Sequence, residues 1–518
     1  MRRKLNVSPP YYLGVDIGTT GAKVILVDVG GYVVVEHVEE YPLYTPKLGW
    51  TEQEPEDWWA AVKRALSSFW AQGIKPDDIE GIGLTGQMHG LVSVDLSFKP
   101  IRRAILWNDQ RTGSQASEMA KKLGLDRIIR ITGSYPHTGF TAPKLLWLKE
   151  NEPSNYARVS KFMLPKDYIG LKLTGKAVTD VNDASGTSLF DVSKRSWSHE
   201  LIGELDISED VLPDVMESPS VRGEVTAKAS EETGLRAGTP VVAGAGDQGA
   251  AGVGSGAVRE GIGSINVGTS GVVFSSSDSY RYDRKGRLHS FCHAVPGKWH
   301  VMGVMLAAGG SLRWFRDTLG EPERTTALLA GLDVYDIITQ EASLVQPGSE
   351  GVIFLPYLSG ERTPHGDPDA RGVFFGLSLK HTKRHMARAV LEGVAYGLRD
   401  SFELMTAMGV TPSEFRIMGG GSKSPLWRKI IADVFGRPIY TMEVDEGSSY
   451  GAAILGAVGA GAFSRVEDAV KAMVKTKDFA EADAENHRIY DAWYQLYRSL
   501  YPSLKDEYKK ASQVITAK

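Results

Sequence analysis

Residues 15–24 read Val-Asp-Ile-Gly-Thr-Thr-Gly-Ala-Lys-Val, and residues 265–274 read Ile-Asn-Val-Gly-Thr-Ser-Gly-Val-Val-Phe. A repeat at this distance constrains architecture more than local propensity does, because it means that one supersecondary unit is used twice. Each copy predicts a strand, a tight Gly-Thr-Thr or Gly-Thr-Ser turn, and a second strand. Glycine allows close backbone approach, while free N–H groups and hydroxyls face outward as an anion-binding concavity. Two such turns can hold a polyphosphate between them. Gly18, Thr19, Thr20 and Lys23 in one copy, and Gly268, Thr269 and Ser270 in the other, are therefore the expected phosphate contacts. The copies are not equivalent: Asp16 in the first stands where Asn266 stands in the second. An acid just before a phosphate turn is costly unless it holds a cation, which makes Asp16 the candidate Mg²⁺ ligand.

At 518 residues the chain exceeds one ordinary core. The second copy opens soon after a short apolar run, so two domains are expected, residues 1–257 and 258–518. Glycine is abundant, at 57 residues, and clusters in loops after apolar runs, which favours α/β architecture. A net charge of −4 gives no electrostatic case for nucleic acid or an anionic membrane. The single cysteine, Cys292, excludes a disulfide framework and a cysteine-based zinc site. The start, residues 1–10, is basic but lacks the apolar stretch of a signal peptide. The charge-free run Ala452–Phe463 is too short and glycine-rich to span a bilayer. A cytoplasmic protein is the resulting expectation.

Helical spacing of Trp58, Ala61, Val62, Ala65, Leu66 and Phe69 predicts a helix over residues 54–71. Strands are expected at 79–85, 91–95, 103–107 and 239–243, and helices at 141–151 and 166–173. In the second half, 381–408 predicts a long amphipathic helix, and 415–418 a strand running into Gly419-Gly420-Gly421. Ser424 followed by Pro425 marks a helix start, and Gly436 its left-handed end. Tyr490, Trp493, Tyr494, Tyr497 and Tyr501 form an aromatic stripe suited to docking, with Pro502 expected to kink or split the helix.

Gly244-Ala245-Gly246-Asp247-Gln248-Gly249 matches the dinucleotide fingerprint G-x-G-x-x-G after a strand. The acid that should follow about 20 residues later to hold a ribose is missing, and Asp247 inside the turn would repel a pyrophosphate. A carboxylate in a glycine loop at a strand end instead suits a general base for a substrate hydroxyl, the alternative being an Asx-turn aspartate. Gln87-Met88-His89-Gly90 and Trp107-Asn108-Asp109-Gln110-Arg111 follow other strands and offer donors, acceptors and a stacking ring, a mixture suited to a polyol. Gly419-Gly420-Gly421-Ser422-Lys423 is not a Walker A loop, but exposes backbone and a helix start to ribose or phosphate. Asp180-Val181-Asn182-Asp183 lacks the glycine and closing glutamate of a calcium loop.

Together these residues resemble the FGGY carbohydrate kinases, within the actin, Hsp70 and hexokinase superfamily, over roughly residues 11–460. Gly139–Glu150 is similar to the first family signature. Gly372–Leu377 with His385–Glu392 is similar to the second. The resemblance implies an α/β, two-lobed fold of duplicated ribonuclease H-like domains with the active site in the interdomain cleft. It implies transfer of the γ-phosphate of ATP to the terminal hydroxyl of a sugar, with Mg²⁺. Gln87-Met88-His89-Gly90, Leu106–Arg111, Asp180–Thr187 and Ala245–Gln248 are most similar to members acting on a ketopentose. Ribulose, fuculose and gluconate remain alternatives, as does a non-catalytic nucleotide switch on the same scaffold. By the same resemblance Met88 and His89 contact the sugar, with Trp107, Asp109 and Gln248 beside them, and Asp247 is the catalytic base. The lobe of residues 1–257 would carry the sugar, and that of 258–518 the adenosine at Gly419, Gly420, Gly421, Ser422 and Lys423. Partners are then a small-molecule sugar and ATP, with no nucleic acid or membrane; a homodimer is compatible with this, and the sequence does not set oligomeric state. The loop Val444–Gly451 departs from the family pattern in being more polar.

Overall fold

The structure, a computed structural model, describes residues 8–516; most of the basic start lies outside the described residues. The chain divides into two compact units. One comprises Met1–Arg259, Ser276–His300 and Glu446–Lys475; the other comprises Glu260–Ser275, Val301–Asp445 and Thr476–Lys518. The first unit thus takes segments from both sides of residue 257, whereas the second lies wholly beyond it.

In the first unit, β1 (Tyr11–Ile17), β2 (Gly21–Asp28) and β3 (Val33–Glu40) form an antiparallel meander. On its other side β1 pairs in parallel with β4 (Ile79–Gly86). Strands Pro240–Val242 and Val221–Glu224 extend the sheet beyond β4. Period-two alternation decides what each face can hold. Leu13, Val15, Ile17, Ile82 and Leu84 enter the same buried cluster as Trp58, Val62, Leu66 and Phe69 of helix α1 (Pro55–Ala71). The alternate positions are Gly14 and Asp16 on β1, and Gly81, Gly83 and Thr85 on β4. The three glycines of this stripe let another helix approach to backbone contact.

Four further helices of this unit bear on the site: α2 (Thr141–Asn151), the one-turn α3 (Val181–Ser185), α4 (Asp247–Gly254) and α5 (Gly447–Gly459). Helix α5 fills the glycine stripe. A Cβ added at Gly14 would lie 2.1 Å from the Ser449 carbonyl oxygen, and one at Gly83 1.7 Å from that of Ala452. Helices α4 and α5 meet the same way, since a Cβ at Gly451 would lie 1.8 Å from the Ala250 carbonyl oxygen. The charge-free run at 452–463 is therefore largely a buried helix made of small residues; among the described residues no helix is long and apolar enough to cross a membrane.

The second unit repeats the theme. β5 (Ile262–Val267) and β6 (Gly271–Ser277) form an antiparallel pair, and β5 pairs in parallel with β7 (Glu414–Met418). The sequence repeat is thus a structural one: a hairpin with a Gly-Thr turn, flanked by a parallel strand. Lys383–Ala407 forms the long amphipathic helix, and Ser424 caps Pro425–Phe435 by accepting from the Trp427 N–H, with Gly436 left-handed at its end. The tyrosine stripe docks as expected. Tyr490 and Tyr494 hydroxyls donate to Glu392 and Asp400, and Tyr501 to Asp367. The helix Ala484–Thr516 runs on across Pro502, so of the expected kink or split the split does not occur. Buried side chains on both sides of the proline, Tyr497, Leu500, Tyr501 and Tyr508, hold its two halves to the protein.

Candidate active site

The site in the first unit is built on the β1–β2 turn. Its carbonyls are turned inward and used: the Tyr41 hydroxyl and Gln87 Nε2 donate to the Gly18 oxygen, and Gln53 Nε2 donates to the Thr19 oxygen at 2.7 Å. The Thr20 oxygen accepts from the Tyr41 N–H. With these acceptors occupied, and with the Thr19 hydroxyl donating to Gln87 Oε1 at 3.2 Å, an anion at the turn would meet backbone N–H groups. Trp107 Nε1 reaches Thr19 Oγ1 at 3.0 Å, which joins the Trp107 segment to the turn. Lys23 is ion-paired with Glu446 and lies 3.3 Å from Glu36.

Asp16 ends the glycine stripe of β1. One carboxylate oxygen accepts from the Ser448 hydroxyl of α5, and the other, Oδ1, is buried with no hydrogen-bond partner among the described residues. Burial raises its pKa, against the Ser448 hydrogen bond and the charge of Lys23. A hard anionic oxygen with unused lone pairs fits one ligand position of Mg²⁺, an ion that keeps water and phosphate oxygens for the rest of its shell. The described residues contain no cluster of three or more ligands for a metal held by the protein alone.

Asp247 is the first residue of α4 and follows the short strand Ala245–Gly246, which pairs with the end of β4. Burial first, and then the negative charge of Asp16, push its carboxyl up to about 7, while hydrogen bonds from Gln248 act the other way. A carboxyl at this value is half ionised near neutrality and suited to accept a proton from a hydroxyl.

Met88 lies beside the loop of this acid, and His89 follows it in the chain. A Cβ on Gly246 would lie 2.6 Å from Met88 Cγ, so Met88 packs against the residue preceding Asp247. His89 has a φ of +67°, a left-handed conformation that a non-glycine residue holds only when its surroundings fix it. The surroundings do. Its Nδ1 lies 2.7 Å from the Gly186 carbonyl oxygen, which can only accept, so Nδ1 carries the proton. Its ring stacks on Phe140 at 4.0 Å between centroids. Its own carbonyl accepts from Lys144 Nζ at 2.8 Å and Thr141 Oγ1 at 3.1 Å, both on α2. The first signature segment thus serves to hold His89.

The Trp107–Arg111 segment is split in role. Trp107 is partly exposed, whereas the Asp109 carboxylate is fully buried and accepts from the Thr51 N–H and the Arg111 guanidinium. Asp109 is a strut for the segment, and its oxygens are already occupied.

The second unit has its own cavity of about 360 Å³, lined by Gly268, Thr269, Gly309, Gly310, Leu312, Arg313, Tyr335, Asp336, Gly420, Gly421, Lys423 and Trp427, among others. It brings together the second phosphate turn and most of the glycine run. Gly419 and Ser422 stand behind this lining, tied to Asp445. Ser270 is outside it. The sequence reading missed the helix Val334–Ser343, which contributes Tyr335, Asp336 and Thr339, and the Gly309-Gly310 turn. Gly309 and Gly310 N–H groups bond back to Gly268 and Thr269, and a Cβ on Gly309 would lie 2.5 Å from the Gly268 oxygen, a closeness no sequence motif announces.

A duplicated hairpin-and-turn scaffold, with a buried acid at one turn and a nucleotide-sized cavity at the other, is that of a sugar-phosphorylating enzyme. The chain belongs to the FGGY family of carbohydrate kinases: the family's N-terminal domain matches residues 11–254 and its C-terminal domain residues 263–460. It is 40% identical to a xylulose kinase of Lactococcus lactis over 94% of this chain and 97% of that one. It is 38% identical to a xylulose kinase of Escherichia coli over 95% and 99%. The crystal structure of xylulose kinase from Rhodospirillum rubrum superposes with a TM-score of 0.89 at 30% identity, covering 96% of this chain and all of that one.

Proposed function

We propose that this protein transfers the γ-phosphate of ATP to the terminal hydroxyl of D-xylulose, giving D-xylulose 5-phosphate, as a cytoplasmic enzyme. The observation that carries the chemistry is Asp247, a buried carboxyl poised near 7 beside a second acid. It accepts the hydroxyl proton as the oxygen attacks phosphorus. His89, Met88, Trp107 and Gln248 position the sugar. Xylulose is favoured over other sugars by the names and the near-complete coverage of the two relatives above.

Adenosine occupies the cavity of the second unit, where Leu312, Tyr335 and Trp427 offer apolar walls, and Arg313 and Lys423 positive charge. Gly268 and Thr269 receive phosphate oxygens. Asp16 would hold Mg²⁺, which would supply neutralisation of phosphate charge; phosphoryl transfer relies on positioning and such neutralisation more than on covalent chemistry. An ADP-release screen over D-xylulose, ribulose, fuculose, gluconate and glycerol tests the assignment. The expected kcat/KM for D-xylulose exceeds every other by at least tenfold. A preference for gluconate or another acceptor refutes the sugar, and ATP turnover indifferent to all of them refutes the kinase reading.

A further inference from the structure

The segment Asp180-Val181-Asn182-Asp183 is too incomplete to bind calcium, yet it is among the most deeply buried polar stretches of the first unit, with Asp180, Asn182 and Asp183 all fully covered. Its central residue reaches the loop that carries the proposed base. Asn182 Oδ1 accepts the Gly246 N–H at 2.9 Å, and Asn182 Nδ2 donates to the Cys292 carbonyl oxygen at 2.7 Å. A Cβ on Gly249 would lie 2.3 Å from Asn182 Oδ1, so the first turn of α4 rests directly on the carboxamide. Gly246 and Gly249 bracket Asp247 on its two sides.

Asn182 is itself fixed. Its N–H and that of Asp183 donate to Asp180 Oδ2, which also accepts from the Ser218 hydroxyl, while Lys166 Nζ lies 2.9 Å from Asp180 Oδ1. Ser185, at the end of the same helical turn, accepts the Cys292 N–H at 3.1 Å. Helix α3 is therefore tied to Cys292 at two points and presents the carboxamide oxygen to the Gly246 loop.

From this geometry we infer that Asn182 is a positioning residue for the phosphoryl-transfer reaction, setting the backbone from which the Asp247 carboxylate projects. The inference rests on Asp247 being the base. The polarity of the carboxamide is used in both directions, acceptor toward Gly246 and donor toward Cys292, a pairing that a neutral amide provides without titrating. Asn182→Ala removes the partner of the buried Gly246 N–H and one donor to the Cys292 carbonyl, and frees the first turn of α4 to move. A displacement of about 1 Å at a reacting group costs on the order of 10²-fold in rate.

A double-mutant cycle on the full chain tests this. Asn182→Ala is expected to lower kcat with saturating D-xylulose and ATP by roughly 10- to 100-fold, with both KM values within about threefold of wild type. Asp247→Asn alone lowers kcat by about 10²–10⁴-fold, and adding Asn182→Ala to it is expected to cost less than about twofold more, because the residue acts through a base already removed. Equal losses from Asn182→Ala in the wild-type and Asp247→Asn backgrounds overturn the inference, as does a kcat for Asn182→Ala within threefold of wild type. An Asp247→Asn variant keeping more than about a tenth of wild-type kcat instead overturns the base assignment, a distinct failure. Where Asn182→Ala does not fold, Asn182→Ser, which keeps one hydrogen-bonding group, enters the same cycle with the same criteria.

Discussion

Gly83→Ala tests whether the glycine stripe under α5 holds the catalytic geometry. The new methyl would be placed 1.7 Å from the Ala452 carbonyl oxygen and 3.1 Å from the Gly456 nitrogen, both backbone atoms that no rotamer change can move aside. To restore ordinary contact the helix must withdraw from the sheet by roughly 1.5 Å. It is held equally close at Gly14, 2.1 Å from the Ser449 oxygen, and at Gly81, 2.5 Å from the Gly456 oxygen, so withdrawal opens gaps along the whole face. Overpacking of this sort costs about 1–3 kcal/mol. The effect does not stop at stability. Helix α5 carries Ser448, bonded to Asp16, and packs on α4, where a Cβ at Gly254 would lie 2.2 Å from the Gly447 oxygen. A shift of α5 therefore displaces both acids, and a loss of kcat on the order of 10²-fold is expected. Urea denaturation followed by circular dichroism, with coupled ADP release at saturating substrates, reads both effects. The control is Gly203→Ala, on an exposed stretch of helix where an added Cβ meets nothing within 4 Å; there stability rises by up to about 1 kcal/mol and kcat is unchanged. A Gly83→Ala enzyme with wild-type midpoint and a kcat within twofold refutes the reasoning.

Four further outcomes follow from the acid, from His89 and from the cavity of the second unit. Because the Asp247 carboxyl is raised to about 7 and must be ionised to accept a proton, kcat/KM for the sugar falls as pH drops through 7, to roughly a tenth at pH 6; a flat profile down to pH 5 removes Asp247 from the role. The raised value has the opposite sign for stability. The folded state binds the proton more tightly than the unfolded chain, so the contribution is lost as pH rises through about 7, and Asp247→Asn gains in melting temperature over wild type between pH 5 and pH 8. His89→Ala raises KM for D-xylulose or lowers kcat without changing ATP affinity, since the ring sits against Phe140 and Gly186 in the first unit; untouched sugar kinetics argue against the role. Gly420→Leu raises KM for ATP at least tenfold and leaves sugar KM alone, because Gly420 lines the 360 Å³ cavity and a Cβ there meets only open space. Equal ATP affinity in that variant places the nucleotide elsewhere.

Most of the scaffold was legible because its signals are local. The 2.0 and 3.6 periodicities, the Ser424-Pro425 start and the Gly436 stop each act over a few residues, and each appears at its place. The repeat was legible for the same reason, and its two turns now stand on equivalent hairpins. What the sequence did not reveal is contact at long separation. Asp109 looked like a sugar ligand because its segment is polar and follows a strand; only the fold brings the Thr51 N–H to it. Pro502 looked like a break because its own turn is weakened, whereas packing against distant side chains decides that the helix continues.

The loop at 444–451 shows why such contacts matter for the chemistry. Its polarity departs from the family pattern. In the structure the same polarity is used, with Ser448 donating to Asp16 and Glu446 pairing with Lys23 of the first turn. The glycines of β1 and β4 make this possible, since without them α5 could not bring a serine hydroxyl to an acid on a central strand. Asp16 is thus held by one oxygen and left open at the other. The small residues below and the polar residues above form one device, whose product is a single oriented carboxylate oxygen.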